Sequence, residues 1–237
     1  FEPRYFESEG LRSTFVGHSV VESGADHGNG LDFRARHQIA EEARVLCILP
    51  GSRHSEVSRL LPIIQNALGM LDGANLQIVL PTVETVEAEI HQAVSSWPVS
   101  PIIVTGDSEK FAAFAASDAA IAASGTVALQ LALARVPYVT IYKFNALTAF
   151  IGRRLVKTPF VNIINILLGQ EVVPELIQED CKSHTIAAHI AGFLEDCETA
   201  SAQVESFDKA VAQLQSGDDV PSDKAATVVL DIIAQHV

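Results

Sequence analysis

Gly51-Ser52-Arg53 stand between an apolar run and a helical pattern, and their residue types suit the holding of an anion. The run Val45-Leu46-Cys47-Ile48-Leu49 reads as a short buried parallel strand, while Val57, Leu60, Leu61, Ile64 and Leu68 recur at helical spacing. With Ser52 as N-cap, Ser55 and Glu56 fall in the first turn. Free backbone N–H groups at that helix start, together with the helix dipole, favour a negative ligand. Arg53 adds a planar guanidinium that can grip a phosphate through two parallel N–H groups. Taken alone, the same residues also describe an ordinary capped helix with a solvated arginine. A second stretch, Ala123-Ser124-Gly125-Thr126, again leads from a strand-like run through small residues into a helical one, which strengthens the phosphate reading.

The elements that must carry these turns follow from hydrophobic periodicity. Strand-like runs occur at Thr14 to Gly17, Arg44 to Leu49, Leu76 to Leu80, Ile102 to Val104, Ala119 to Ala122 and Tyr138 to Ile141. Between them, helical patterns lie near 55–71, 84–96, 108–116, 126–134 and 145–155. Strands alternating with helices predict an α/β fold, a doubly wound parallel sheet with helices on both faces. After Glu171 the pattern turns helical, near 172–179, 184–195, 199–215 and 222–236. The expected organisation is an entry segment over 1–20, a nucleotide-binding domain over 21–170 and a helical C-terminal tail over 171–237. Open parallel sheets bind ligands beyond the carboxyl ends of their strands, which is where both small-residue turns fall. Neither GxGxxG nor GxxxxGK[ST] occurs, so a dinucleotide or P-loop site is not supported.

Composition narrows the function classes. The 237 residues are 48% hydrophobic, enough for a sizeable core, and carry a formal net charge of −13, which argues against a nucleic-acid partner. The charge is unevenly placed. Between Ala119 and Gln170 there is no Asp or Glu, but there are Arg135, Lys143, Arg153, Arg154 and Lys157, so one region of an acidic chain is basic. Three cysteines without metal-ligand spacing suit a reducing, cytoplasmic setting, and no run is apolar for the length of a membrane span. No Ser/His/Asp set and no metal cage stand out, so neither a metal nor a cofactor is expected. The chain opens on Phe1-Glu2-Pro3 with no Met and is read as part of a longer protein.

Six blocks together carry a resemblance. They are Phe15-Val16-Gly17-His18, Leu49-Pro50-Gly51-Ser52-Arg53 with Glu56, Ala123-Ser124-Gly125-Thr126, Arg154-Leu155-Val156-Lys157-Thr158, Asn165, and Val173-Pro174-Glu175-Leu176. In order and spacing the chain resembles the lipid-A-disaccharide synthases over nearly its whole length. The resemblance implies the Rossmann-like C-terminal half of a GT-B glycosyltransferase. Such an enzyme moves 2,3-diacylglucosamine from its UDP derivative to 2,3-diacylglucosamine 1-phosphate, giving lipid A disaccharide 1-phosphate and UDP. It implies Arg53 and Asn165 as catalytic residues, and Gly51, Ser52, Arg53, Ser124, Gly125, Thr126, Gln130 and His18 as substrate-binding ones. Gln130 stands where related enzymes commonly hold an acid against the ribose, so a charge-assisted contact is replaced by an amide. The resemblance also implies a general base in a preceding domain. The isolated chain is therefore expected to bind UDP weakly and not to turn over.

Plainer roles compete for several of these residues. His18 also fits a hydrogen-bonded structural histidine, Gly125 a device for close helix–sheet packing, and Asp107 and Asp118 helix-start acids without chemistry. The stretch 142–160 interleaves Tyr142, Phe144, Phe150, Ile151 and Phe160 with Lys143, Arg153, Arg154 and Lys157. That pattern suits a peripheral contact with lipid headgroups, which the resemblance places at the inner face of the inner membrane, and equally an amphipathic helix over a core. Apolar faces on the tail helices would favour a homodimer. Two other functions share the same turns: a UDP-N-acetylglucosamine 2-epimerase, and a non-catalytic nucleotide-binding or membrane-docking module.

Overall fold

The computed structural model describes residues 3–73, 75–97, 99–123, 125–144, 159–217 and 220–234. Six strands form one parallel sheet: β1 (Arg44–Leu49), β2 (Leu76–Thr82), β3 (Ile102–Thr105), β4 (Ala119–Ala123), β5 (Tyr138–Tyr142) and β6 (Glu175–Ile177). Their order is β3-β2-β1-β4-β5-β6, with Leu46 opposite Ile78 on one side of β1 and opposite Ala119 on the other. This is the doubly wound order in which the chain reverses direction across the sheet between β1 and β4.

Both faces of the sheet are covered, which explains why β1 is an unbroken apolar run rather than an alternating one. Leu46 and Ile48 face α3 (His54–Leu68), α4 (Glu84–Val94) and α8 (Ser183–Glu195). There they meet Val57, Leu60, Ile64, Ile90 and Ile190, all at most 1% exposed. Cys47 and Leu49 face the other layer, where α5 (Asp107–Ala116), α6 (Val127–Leu133) and α9 (Cys197–Ala212) supply Phe114, Leu129 and Phe207. Burying each such large side chain is worth about 1.5–3 kcal/mol against leaving it in water. The described residues also form three short helices, α1 (Pro3–Ser8), α2 (Gly30–Arg36) and α7 (Ile163–Leu168), and a longer one near the C-terminus, α10 (Pro221–Ala234).

Two expected elements are corrected. Residues 14–17 form no strand. Their backbone instead docks on the chain after α9, with the His18 N–H donating to Leu214 O (2.9 Å) and Ser216 Oγ to Val16 O (3.0 Å). Gly17 sits at φ +91°, and a Cβ there would come within 2.8 Å of Pro221. The sixth strand is β6, inside a stretch where a helix over 172–179 was expected, so the sheet extends past residue 170. Pro174 disfavours helical backbone at Val173, and its carbonyl accepts from Thr140 N–H (3.0 Å), which starts the β5–β6 ladder. The remaining three tail helices form as expected, whereas α1, α2 and α7 carry too short a pattern to be read from sequence. The helix expected over 145–155 lies outside the described residues.

Candidate functional site

At the carboxyl ends of β1, β2 and β4 lies a cleft of about 500 Å³. Its walls are the turn after β1 (Gly51, Ser52, Arg53), the end of β2 (Pro81 to Val83), Lys110 of α5, and the turn after β4 leading to Gln130 of α6. It therefore occupies the switch point of the sheet, where the loops from adjacent strands diverge.

The first turn departs from the expected geometry in one respect. Ser52 is not the cap of α3. The N-cap is Arg53, in extended backbone and without a side-chain cap bond. From the third helical position the Glu56 carboxylate reaches back to the turn, one residue beyond the N-cap amide that a capping box would bind. Its Oε2 accepts from the Ser52 N–H (3.2 Å), and its Oε1 accepts from Arg53 Nη1 (2.8 Å) and the Tyr142 hydroxyl (3.1 Å). Gly51 permits this approach. It holds φ +106°, and a Cβ there would stand 2.3 Å from Glu56 Oε2. The carboxylate side chain is 9% exposed and the guanidinium side chain 75%, so the acid sits inside and presents the cation outward. Glu56 holds the Arg53 guanidinium above its ordinary value, while burial first and Glu56 second push the Tyr142 phenol up. Both groups thus keep their protons. Among the described residues, the amides of His54 and Ser55 have no hydrogen-bond partner, so the helix start still offers donors to an anion.

On the opposite wall, Gly125 lies at φ +151° with open space where a Cβ would be. The close-packing role for this glycine is thereby corrected: its backbone conformation, not crowding, calls for glycine. Thr126 caps α6, and Gln130 lies one turn further along that helix on the cleft wall. Ser124 lies outside the described residues.

Sequence reasoning missed Lys110 in the cleft and Tyr142 behind its first turn. Lys110 lines the wall beside β2, paired with Asp107 (2.6 Å) and set over the Phe111 ring at 4.8 Å. The signal for it was its place one turn into the helix that follows a sheet strand. Tyr142 reaches Glu56 from 86 residues away, and no local pattern announces that.

His18 caps a 3-10 turn over Ser19–Glu22, its Nδ1 accepting from the Val20 N–H (3.0 Å). A neutral ring then carries its proton on Nε2. The same residue lines a smaller cavity of about 170 Å³ with Gly125, Thr126 and Asn162, adjoining the main cleft. Its structural and site-lining roles coexist.

Asn165, expected as a catalytic residue, stands apart from the cleft. Asn165 is 0% exposed, and its side chain is fully engaged elsewhere. Its Nδ2 donates to Val173 O and Glu175 Oε1 (2.8 Å each), and its Oδ1 accepts from Val172 N–H and Val173 N–H (2.8 and 2.9 Å). It holds the approach to β6 and lines neither cavity. Asp107 is a helix-start acid as expected. Asp118 is instead a clamp before β4, accepting from Arg34, Arg44 and the Val45 N–H. Among the described residues, no group of three His, Cys, Asp or Glu is placed to hold a metal ion.

The model of the lipid-A-disaccharide synthetase family matches residues 1–229. The chain belongs to the lipid-A-disaccharide synthase family. A lipid-A-disaccharide synthase of Rhodospirillum centenum is 47% identical over 239 residues, covering 100% of this chain and 60% of the relative. One of Paramagnetospirillum magneticum is 44% identical over 99% of this chain and 61% of the relative. This member of the synthase family thus spans about 60% of the length of the curated relatives it matches. Among solved structures, WaaG, a glycosyltransferase involved in lipopolysaccharide biosynthesis, superposes with a TM-score of 0.55 at 15% identity, over 84% of this chain and 50% of that one. Anabaena Alr3699/HepE in complex with UDP-glucose gives 0.54 at 16% identity, over 84% and 51%. These likenesses place the synthase-family chain in the GT-B glycosyltransferase fold. A putative UDP-N-acetylglucosamine 2-epimerase from Listeria monocytogenes shares the fold at 8% identity (TM-score 0.50), but family membership does not favour the epimerase function.

Proposed function

We propose that this chain grips the donor diphosphate of a hexosyltransferase. The reaction transfers 2,3-diacylglucosamine from its UDP derivative to 2,3-diacylglucosamine 1-phosphate, giving lipid A disaccharide 1-phosphate and UDP. The observation that carries the reading is the preset Arg53 guanidinium beside unpaired helix-start amides, at the switch point of the sheet and within a synthase-family chain.

The chemistry asked of these residues is stabilisation of a leaving group. As the glycosidic bond to the donor breaks, negative charge grows on the diphosphate, and Arg53 with the α3 amides meets it where it develops. Gly125 and Thr126 would receive the sugar side of the diphosphate, Gln130 the ribose hydroxyls, and Lys110 adds a second cation to the wall. The acceptor hydroxyl needs a base. Glu56 is the one carboxylate among the described cleft-lining residues, and it is already engaged by three donors. The base therefore belongs to another part of the working enzyme. Acylated substrates require access to a lipid surface, a role suited to 142–160, of which Tyr142 and the exposed Phe144 hold their rings tilted with centroids 4.4 Å apart. The reading includes peripheral attachment at the cytoplasmic face of the inner membrane and a homodimer, with no nucleic-acid partner. No helix among the described residues is long and apolar enough to cross a membrane.

Calorimetric titration tests the reading. UDP should bind this chain, uridine should bind far more weakly, and disaccharide formation by the chain alone should be undetectable. Equal binding of UDP and uridine would remove the diphosphate role.

A further inference from the structure

Arg53 stands on a long, exposed stem, and such a side chain ordinarily samples many rotamers and loses that freedom when it grips a ligand. Here one of its N–H groups is already committed. Nη1 donates to Glu56 Oε1 at 2.8 Å, leaving the rest of the guanidinium fork for the cleft. The carboxylate that holds it is itself held from two further directions. Ser52 N–H fixes Oε2 from the turn, and the Tyr142 hydroxyl fixes Oε1 from the end of β5. Gly51 admits the carboxylate to this place, since a Cβ there would stand 2.3 Å from Oε2. Charge balance agrees with this reading. The buried acid and the exposed cation neutralise one another, so the acid does not present a bare negative charge to a phosphate.

We propose that Glu56 is a positioning residue for Arg53, presetting the guanidinium toward the diphosphate and tying it through Tyr142 to the end of β5. This rests on the diphosphate reading above. Glu56 touches no reacting atom. It acts by removing the search that Arg53 would otherwise make, and by coupling the anion turn to the chain that continues into 143–160. Glutamine cannot substitute, because one of its two amide positions would set N–H donors against Ser52 N–H or the Arg53 fork.

The test is a double-mutant cycle read by UDP titration, with melting temperature recorded for each variant. Four chains are compared: the parent, Glu56→Gln, Arg53→Ala and the double variant. Glu56→Gln should weaken UDP binding roughly three- to tenfold, the scale of coupling between residues in contact. In the Arg53→Ala background the same change should have no effect, a pattern that general loss of structure would not give. Tyr142→Phe should act in the same direction, more weakly, and only while Arg53 is present. It decides the matter if Glu56→Gln does not fold. The proposal is overturned if Glu56→Gln binds UDP as tightly as the parent or more tightly, or loses the same factor in both backgrounds. A parent chain that does not bind UDP overturns the diphosphate reading and this proposal together, whereas binding with uncoupled variants overturns this one alone.

Discussion

Gly51 and Glu56 are packed so closely that a single added carbon on the glycine would stand 2.3 Å from the carboxylate oxygen. The turn after β1 is thus built around an internal anion. Replacing Gly51 with alanine places a side chain at φ +106° and displaces Glu56. The backbone term alone is about 1–2 kcal/mol. Gly51→Ala should therefore lower the urea midpoint and weaken UDP binding together. Loss of neither would show that the turn adapts freely.

Arg53→Ala removes the exposed guanidinium without opening the core. UDP binding should weaken by about 1.5–3 kcal/mol, the range for a hydrogen bond to a charged group, while the urea midpoint stays close to that of the parent. An unchanged UDP titration in a folded Arg53→Ala chain would assign Arg53 to some other ligand.

Asn165 should behave in the opposite way. Asn165→Ala leaves Val172 and Val173 amides without their acceptor inside the fold, at about 1–3 kcal/mol for each unsatisfied group. Denaturant unfolding should show a loss of several kcal/mol, and the folded fraction should keep the UDP affinity of the parent. A stable Asn165→Ala chain with impaired UDP binding would return this residue to the site.

Tyr142 supplies a pH signature. Burial and then Glu56 raise its phenol, so the folded chain holds that proton more tightly than the unfolded one. The contribution is fully present below the unfolded value of about 10 and is lost as pH rises through the folded value. Stability measured by urea midpoint should decline on the alkaline side, and Tyr142→Phe should remove part of that decline. The rest of it belongs to the buried Tyr138 phenol and the buried Cys47 and Cys181 thiols, which burial also pushes up. Superimposable alkaline limbs for parent and variant would contradict the assignment.

Thiol chemistry checks the packing of the sheet. Cys47 and Cys181 are buried and their thiols are pushed up by that burial, whereas Cys197 is exposed. An aromatic disulfide reagent should titrate one thiol rapidly in the native chain and the others only after denaturant. Rapid reaction at Cys47 would mean that β1 is not covered on both faces.

Particular residues show what the sequence could and could not convey. Arg44 to Leu49 is β1 to the residue, and the starts of β2 to β5 are also where the periodicity places them, because strands buried on both faces must be continuous apolar runs. The same logic failed at Thr14 to Gly17, where Phe15 stays exposed and the segment docks through its backbone on residues 214–221, and at Glu175 to Ile177, where three residues carry no usable period. That Gly51, Arg53, Gly125, Thr126 and Gln130 line one cleft was legible because strand-to-helix turns are local and the parallel sheet gathers them at one edge. Which of the site's donors are free was not legible. The Glu56 carboxylate takes the Ser52 amide and one arm of Arg53, and Tyr142 joins it across 86 residues. Lys110 entered the cleft, and Asn165 left it, for the same reason. Residue type and spacing determine which turns exist and what they could bind, but hydrogen bonds between distant segments are set only when the sheet closes and each buried polar group must find a partner.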